Sequence, residues 1–179
     1  MKVQVKSQHL AVTAGKHSSL SHYGSKGEAR MVDVSAKPTT YREAEARAFV
    51  ALRPAVLAAL ASNPKGDALE VARIAGIAGA KRTADLIPLC HPLSLTRIEV
   101  EARRTRGGVR LTSRVGTTAA TGVEMEALTA VSIAALTLYD MCKAMDHGIE
   151  IQFIQLTRKS GGRSGDFRRA GSATARRHP

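Results

Sequence analysis

Between residues 127 and 139 almost every position is apolar, and only Thr129, Ser132 and Thr137 interrupt the run. Charge collects at its flanks. Glu124 and Glu126 precede it, and Asp140, Lys143 and Asp146 follow. Carboxylates ahead of the run and Gly148 behind it predict one long helix over 122–146. A helix that is apolar all round must be buried all round, in a fold or at a subunit contact.

Elsewhere the pattern changes to period two. Residues 42–52 set Ala44, Ala46, Ala48 and Val50 against Glu43, Glu45 and Arg47, which predicts a strand with one buried face. Residues 96–104 and 109–117 alternate in the same way. Arg106-Gly107-Gly108 lies between them as a hairpin turn. Residues 150–157 read as a closing strand, and residues 31–34 as a short strand or an ordered lead-in. Pro54 opens a short helix that ends near Ala61. Asn63-Pro64-Lys65-Gly66 breaks the chain, and Asp67 with Glu70 fits a capping box for a helix over 68–84. Gly76 and Gly79 inside that helix cost about 1 kcal/mol each relative to Ala. The cost points to another backbone packed close against them.

The order is strand, short helix, helix, strand, strand, helix, strand, with no internal repeat. It predicts an α+β fold of the ferredoxin-like βαββαβ type. Four antiparallel strands would pack on two main helices, with one short extra helix. The domain is expected over 28–167. A polar flexible lead covers 1–27, and a basic flexible tail covers 168–179.

The net charge of +12 invites a nucleic-acid reading, but its placement weakens that reading. Residues 158–179 hold seven Lys/Arg against one acid, and residues 1–30 hold five against one. The body between them is only mildly basic, which suits an anionic small molecule. Aromatic residues make up 3% of the chain, too few for stacking on single-stranded bases. Cys90 and Cys142 have no CxxC or His spacing, so no metal site is expected. The first residues lack the apolar stretch of a signal peptide. The apolar run at 127–139 is too short to span a bilayer. A cytoplasmic protein with reduced thiols and no membrane partner is expected.

Several residues could carry chemistry. Lys159-Ser-Gly-Gly-Arg163-Ser-Gly, within an expected loop over 158–166, reads as an anion-binding loop or a flexible basic linker. It lacks the ending of a Walker A motif. Cys90-His91 sits between Pro88 and Pro92, where a stiffened loop can present side chains to a ligand. A structural histidine and a packed thiol are the alternatives there. Asp140 and Lys143 share a helix face. They form either a surface salt pair or, with partial burial and a lowered Lys143 pKa, an acid–base pair. Lys65 is a solvated loop lysine or a mobile phosphate or proton-transfer lysine. His9, His17 and His22 fall in the lead and read as solvent-facing, with His22 the strongest candidate.

Four stretches carry a resemblance to a known family: MVDVSAKP, KGDALEVARIAGIAGAKRTADLIPLCHPL, TGVEMEALTAVSIAALTLYDMCKA and KSGGRSGDF. Together they closely resemble the MoaC family, the cyclic pyranopterin monophosphate synthases of molybdenum cofactor biosynthesis. The resemblance covers about residues 20–167. It implies a ferredoxin-like hexamer, a trimer of dimers. The implied reaction turns 3′,8-cyclo-7,8-dihydro-GTP into cyclic pyranopterin monophosphate with loss of diphosphate. By resemblance the catalytic residues are Asp140, Lys143 and Lys65. The substrate-binding ones are Leu89, Cys90, His91, Glu124, Met125, Glu126 and Lys159. No cofactor is required, and Mg²⁺ can accompany the triphosphate. Arg163 stands where the family motif often has Lys, which keeps the charge.

Helix length adds a constraint of its own. Glu126 and Asp140 are fourteen residues apart, about 21 Å along one helix. One nucleotide is too small to bring both to one reacting centre within a single chain. Either Glu126 is remote from the chemistry, or two antiparallel copies of the helix meet across a two-fold axis through the apolar middle.

Overall fold

The structure, a computed structural model, describes residues 27–170. The chain divides after Val32 into two units. The described part of the first, residues 27–32, contains no helix, and the second, Asp33–Pro179, carries every element below. Apart from Gly27, the expected lead lies outside the described residues, with His9, His17 and His22. So does the tail from residue 171 onward.

Strand β1, Thr40–Ala51, is the middle of the sheet. Its buried positions are Ala44, Ala46, Ala48 and Val50, as the alternation requires. Helix α1, Pro54–Ala59, follows with Pro at its start and runs into a 3-10 turn, Leu60–Ser62. Helix α2 is Ala68–Lys81, and the four-residue α3 is Thr83–Leu86. Strand β2, Leu95–Thr105, and strand β3, Gly108–Ala119, form the expected hairpin. Helix α4, Glu124–Cys142, precedes strand β4, Glu150–Ser160, and a two-residue strand β5, Phe167–Arg168.

All pairings are antiparallel, in the order β2-β3-β1-β4-β5. On β3, Val109, Leu111 and Val115 stand opposite Val50, Ala48 and Ala44. Leu111 and Val115 therefore face alanines, and the alanine row of β1 lets α4 lie close to the sheet. The far face alternates Glu43, Glu45 and Arg47. Glu43 is met by Arg97 at 3.4 Å and Arg158 at 3.7 Å, and Glu45 by Arg114 at 2.5 Å and Arg158 at 3.6 Å.

Three departures from the sequence expectations have physical causes. The sheet has five strands, not four. β4 runs on through Arg158, Lys159 and Ser160, and the chain reverses so that Phe167 and Arg168 pair with Lys159 and Arg158. Arg169 continues the attachment, its N–H and Nε donating to Thr157 O and Leu156 O. A two-residue strand leaves no readable period. Residues 31–34 form no strand, which leaves the lead-in of the two readings. Asp67 caps α2 through Leu69 N and Glu70 N, but Glu70 pairs with Arg73 instead of closing a capping box. α4 stops at Cys142, short of 146, because Asp146 is taken by Arg53 at 2.6 Å and by Gly148 N at 2.8 Å.

α4 also corrects the expectation of a run too short for a membrane. Its 19 residues are long and apolar enough by length and composition. Yet Ala127, Ala130, Val131, Ala134, Ala135 and Leu138 are fully buried within the fold. Most of its apolar surface is used as the core helix of this domain.

α2 and α4 meet where the two glycines sit. A Cβ on Gly76 would lie 2.8 Å from Ala130 O, and one on Gly79 would lie 2.7 Å from Ile133 Cγ1. Gly76→Ala would gain about 1 kcal/mol of helix propensity. Overpacking against a backbone carbonyl costs about 1–3 kcal/mol. The collision outweighs the gain, so Gly76→Ala should lower stability in urea titration. A more stable variant would show that the two helices separate without cost.

Candidate active site

α4 carries charged residues to its two ends, and the ends differ sharply. At its C-terminus Lys143 Nζ donates to Asp140 Oδ1, one turn back. Lys65, from the loop ahead of α2, reaches the same place. Its Nζ donates to the Asp140 carbonyl at 3.3 Å and lies 3.9 Å from Asp140 Oδ2. The loop can do this because Asn63-Pro64-Lys65-Gly66 is a tight turn closed by Gly66 N to Asn63 O at 3.0 Å.

All three side chains are about half exposed, Asp140 at 59%. The sequence reading allowed burial to lower the Lys143 pKa, and here the structure corrects it. The hydrogen bond from Lys143, its charge, and then that of Lys65 hold the Asp140 carboxyl below the usual range. Asp140 in turn pushes the Lys143 ammonium pKa up. Pairing wins because the cluster is open to water and loses little solvation. Asp140 is therefore an ionised acceptor, and Lys143 is a charged donor.

The N-terminal end is enclosed. Glu126, in the first turn of α4, is 4% exposed. Burial pushes its carboxyl up to about 7, with a smaller push from Glu124. Cys90, half-buried, has its thiol pushed up by burial and then by the charge of Glu126. Leu89 and His91 flank it, also half-buried, on the segment after α3. Met125 is half-buried beside Glu126. Glu124 lies 3.9 Å from Lys159 on β4. Lys159 also donates to Ser164 Oγ at 2.6 Å.

Beside Glu124 and Lys159 opens a cavity of ≈ 620 Å³, also lined by Lys37, Arg42, Gly161, Gly162 and Arg163. Gly161 and Gly162 have φ of 85° and 79°, a conformation that side chains disfavour. Space forbids side chains as well. A Cβ would stand 2.3 Å from Tyr41 O at Gly161 and 1.8 Å from Arg42 Nη1 at Gly162. Arg42 is steadied by Ala120 O at 3.3 Å, while its Nε is buried with no hydrogen-bond partner among the described residues. This wall joins four cations and a backbone bared by glycines, which suits an anion with several phosphates.

The structure thus sorts the candidate residues into two groups. Lys65, Asp140 and Lys143 meet at one end of α4, and Glu124, Glu126, Cys90 and Lys159 at the other, about 21 Å away by helix rise. Lys37 and Arg42 escaped the sequence reading. Lys37 lay inside the MVDVSAKP stretch, and Arg42 looked like a strand-edge charge. No spacing in sequence ties either to Gly162. Among the described residues no group of three or more His, Cys, Asp or Glu could hold a metal ion.

A sequence model of the MoaC family matches residues 31–162. The chain belongs to the MoaC family. The matched segment holds every candidate residue of both groups. The chain is also 59% identical to the "Cyclic pyranopterin monophosphate synthase" of Roseiflexus sp. (strain RS-1), over 84% of this chain and 98% of that one. It is 56% identical to the protein of the same name from Parvibaculum lavamentivorans, over 83% and 96%. With that from Thermomicrobium roseum it shares 56% identity, over 84% and 93%.

The buried Glu126 sets a pH dependence. Its folded pKa, about 7, lies above the unfolded value of 4.5. The folded state therefore holds the proton more tightly. The stability this confers is complete below 4.5 and is lost as pH rises through 7. Glu126→Gln keeps a neutral group at every pH. Urea titrations at pH 5 and pH 8 should show the Gln variant gaining on the parent at the higher pH, by about 1–3 kcal/mol. A difference independent of pH would mean that Glu126 ionises as an ordinary carboxylate.

Proposed function

We propose that the chain is a cyclic pyranopterin monophosphate synthase of molybdenum cofactor biosynthesis, a lyase that releases diphosphate. Its substrate is (8S)-3′,8-cyclo-7,8-dihydroguanosine 5′-triphosphate. Membership of the MoaC family and the shared name of its relatives support the reading. The observation that carries the site is the joining of Lys65 and Lys143 on Asp140. In this reading the first four strands and the helices α2 and α4 are the split-βαβ, ferredoxin-like core.

The reaction asks for two things. An imidazole-derived ring opens and a pyrazine ring closes, which needs several proton transfers. Asp140 and Lys143 hold each other charged, and their placement with Lys65 gives one acceptor and two donors for these transfers. The other need is charge neutralisation. A sugar oxygen attacks the α-phosphorus, a new P–O bond forms, and the P–O bond to diphosphate breaks. Lys37, Arg42, Lys159 and Arg163 take the triphosphate, and the glycine N–H groups assist. His91, Cys90 and Leu89 with Glu124, Met125 and Glu126 hold the base and sugar. No cofactor is required, and Mg²⁺ travels with the triphosphate as part of the substrate.

The two halves of this site stand at opposite ends of α4, so two copies are needed to complete one. The middle of α4 is mostly spent within its own chain, contrary to a broad apolar contact. What remains is an outer stripe of Leu128, Ser132 and Leu136, with Leu136 56% exposed. The stripe is symmetric about Ser132. An antiparallel second copy crossing there sets Leu128 against Leu136 and Glu124 against Asp140. We read the assembly as such dimers grouped in threes, in the cytoplasm.

A nucleic-acid-binding module is the competing reading. Such a module needs a sheet face whose cations are free to meet phosphates, yet here Arg97, Arg114 and Arg158 are engaged by Glu43 and Glu45.

Turnover of the cyclic dihydro-GTP with diphosphate release tests the proposal. Lys143→Ala should lower kcat by more than about 100-fold. The thermal midpoint should stay put, since the side chain is half exposed. Retained activity would remove Lys143 from the mechanism. The shared site has its own test. Glu126→Gln and Asp140→Asn proteins, each inactive, are unfolded and refolded together. Some mixed dimers collect both lesions in one site and leave the other intact, so part of the activity should return. No recovery in proven mixed oligomers sinks the two-copy site.

A further inference from the structure

The last turn of any helix leaves four carbonyls without a partner inside the helix. In α4 all four are accounted for. Tyr139 O accepts from Lys143 N at 2.8 Å, and Cys142 O from Met145 N at 2.9 Å. The other two are met from another part of the chain. Asp140 O accepts from Lys65 Nζ at 3.3 Å, and Met141 O from Asn63 Nδ2 at 2.9 Å. The turn ahead of α2 is thus the C-terminal cap of α4.

Asn63 is the fastener. Its Nδ2 holds Met141 O, its Oδ1 accepts Lys65 N at 2.9 Å, and its backbone O accepts Gly66 N at 3.0 Å. One short side chain thereby grips both the helix end and the backbone of the lysine. A side-chain amide offers a donor and an acceptor in one planar group, and Asn is the shorter of the two amide residues. Lys65 itself is long, half exposed and rich in rotamers. A free loop would let it sweep through solvent. Pro64, with its fixed φ, and Gly66, at φ 99°, shape the turn but do not touch α4 through these bonds.

We infer that Asn63 is a positioning residue, which docks the Lys65 turn on the end of α4 and so sets the Lys65 ammonium against Asp140. The inference rests on the proposed role of Lys65 and Asp140 in the reaction. It adds a residue that touches neither substrate nor reacting atoms and acts only through Lys65.

The test is a double-mutant cycle in the full chain with the cyclic dihydro-GTP as substrate. Asn63→Ala should lower kcat by about 10- to 100-fold through misplacement of Lys65. KM should stay within about threefold. In a Lys65→Ala background the same substitution should do nothing further, because its target is gone. Asn63→Asp should behave like Asn63→Ala, since a carboxylate cannot donate to Met141 O.

A second measurement needs no turnover. The charge of Lys65 helps hold the Asp140 carboxyl down. Carbon-13 titration of that carboxyl should show its midpoint rising in Lys65→Ala and rising alike in Asn63→Ala. The same spectra confirm that the variants are folded. The inference is overturned if Asn63→Ala keeps full kcat and the parent midpoint while Lys65→Ala is crippled. It is equally overturned if the two losses simply multiply, for then Asn63 acts through the fold and not through Lys65. Wild-type turnover by Lys65→Ala alone would instead sink the catalytic role of Lys65, a failure recognisable without any Asn63 variant.

Discussion

The close approach of α2 and α4 is the constraint on which the rest depends. Backbone meets side chain and carbonyl at Gly76 and Gly79 with no room for a methyl group. That contact covers one side of α4, and the alanine row of β1 covers another. A helix held so tightly is a rigid rod. Its two ends become fixed points about 21 Å apart between Glu126 and Asp140, and each end inherits a separate environment.

Those environments decide the charge states. A first-turn carboxylate gains about 0.3–1 kcal/mol from the positive end of a helix. For Glu126 this loses to burial, since a rise from 4.5 to about 7 corresponds to roughly 3 kcal/mol in the opposite sense. The first turn of α4 therefore carries a carboxyl that titrates near neutrality. At the far end the side chains of Asp140, Lys143 and Lys65 are open to water. Asp140 and Lys143 pair in water and hold each other charged. Enclosure of that end by a second copy would strip water from the pair and strengthen every interaction within it.

The loops follow the same logic. The turn at Lys65 is fixed by what α4 leaves unsatisfied at its end. The chain after Cys142 leaves the helix because Arg53 and Gly148 N hold the two carboxylate oxygens of Asp146. The loop after β4 lies flat on Arg42 because Gly161 and Gly162 have nothing to collide with it. In each case a local sequence feature is put to use by a partner from a remote part of the chain.

This division separates what could be read from the chain alone. The period-two alternation of β1, β2 and β3 and the apolar run of α4 were legible, because burial on one face or on all sides writes itself into residue order. Gly76 and Gly79 announced a close contact because glycine in a helix has a known cost. The four family stretches carried the candidate residues, and the rise per residue already kept Glu126 from Asp140. Other features had no signature in order. β5 is too short for a period. Lys37 and Arg42 join Gly162 across more than a hundred residues. Asn63 looked only like a helix breaker. The charge states of Glu126 and Lys143 turned on enclosure, which depends on what the fold lays over each end. Residue order encodes local periodicity and backbone cost, whereas solvation and remote partners exist only once the chain is packed.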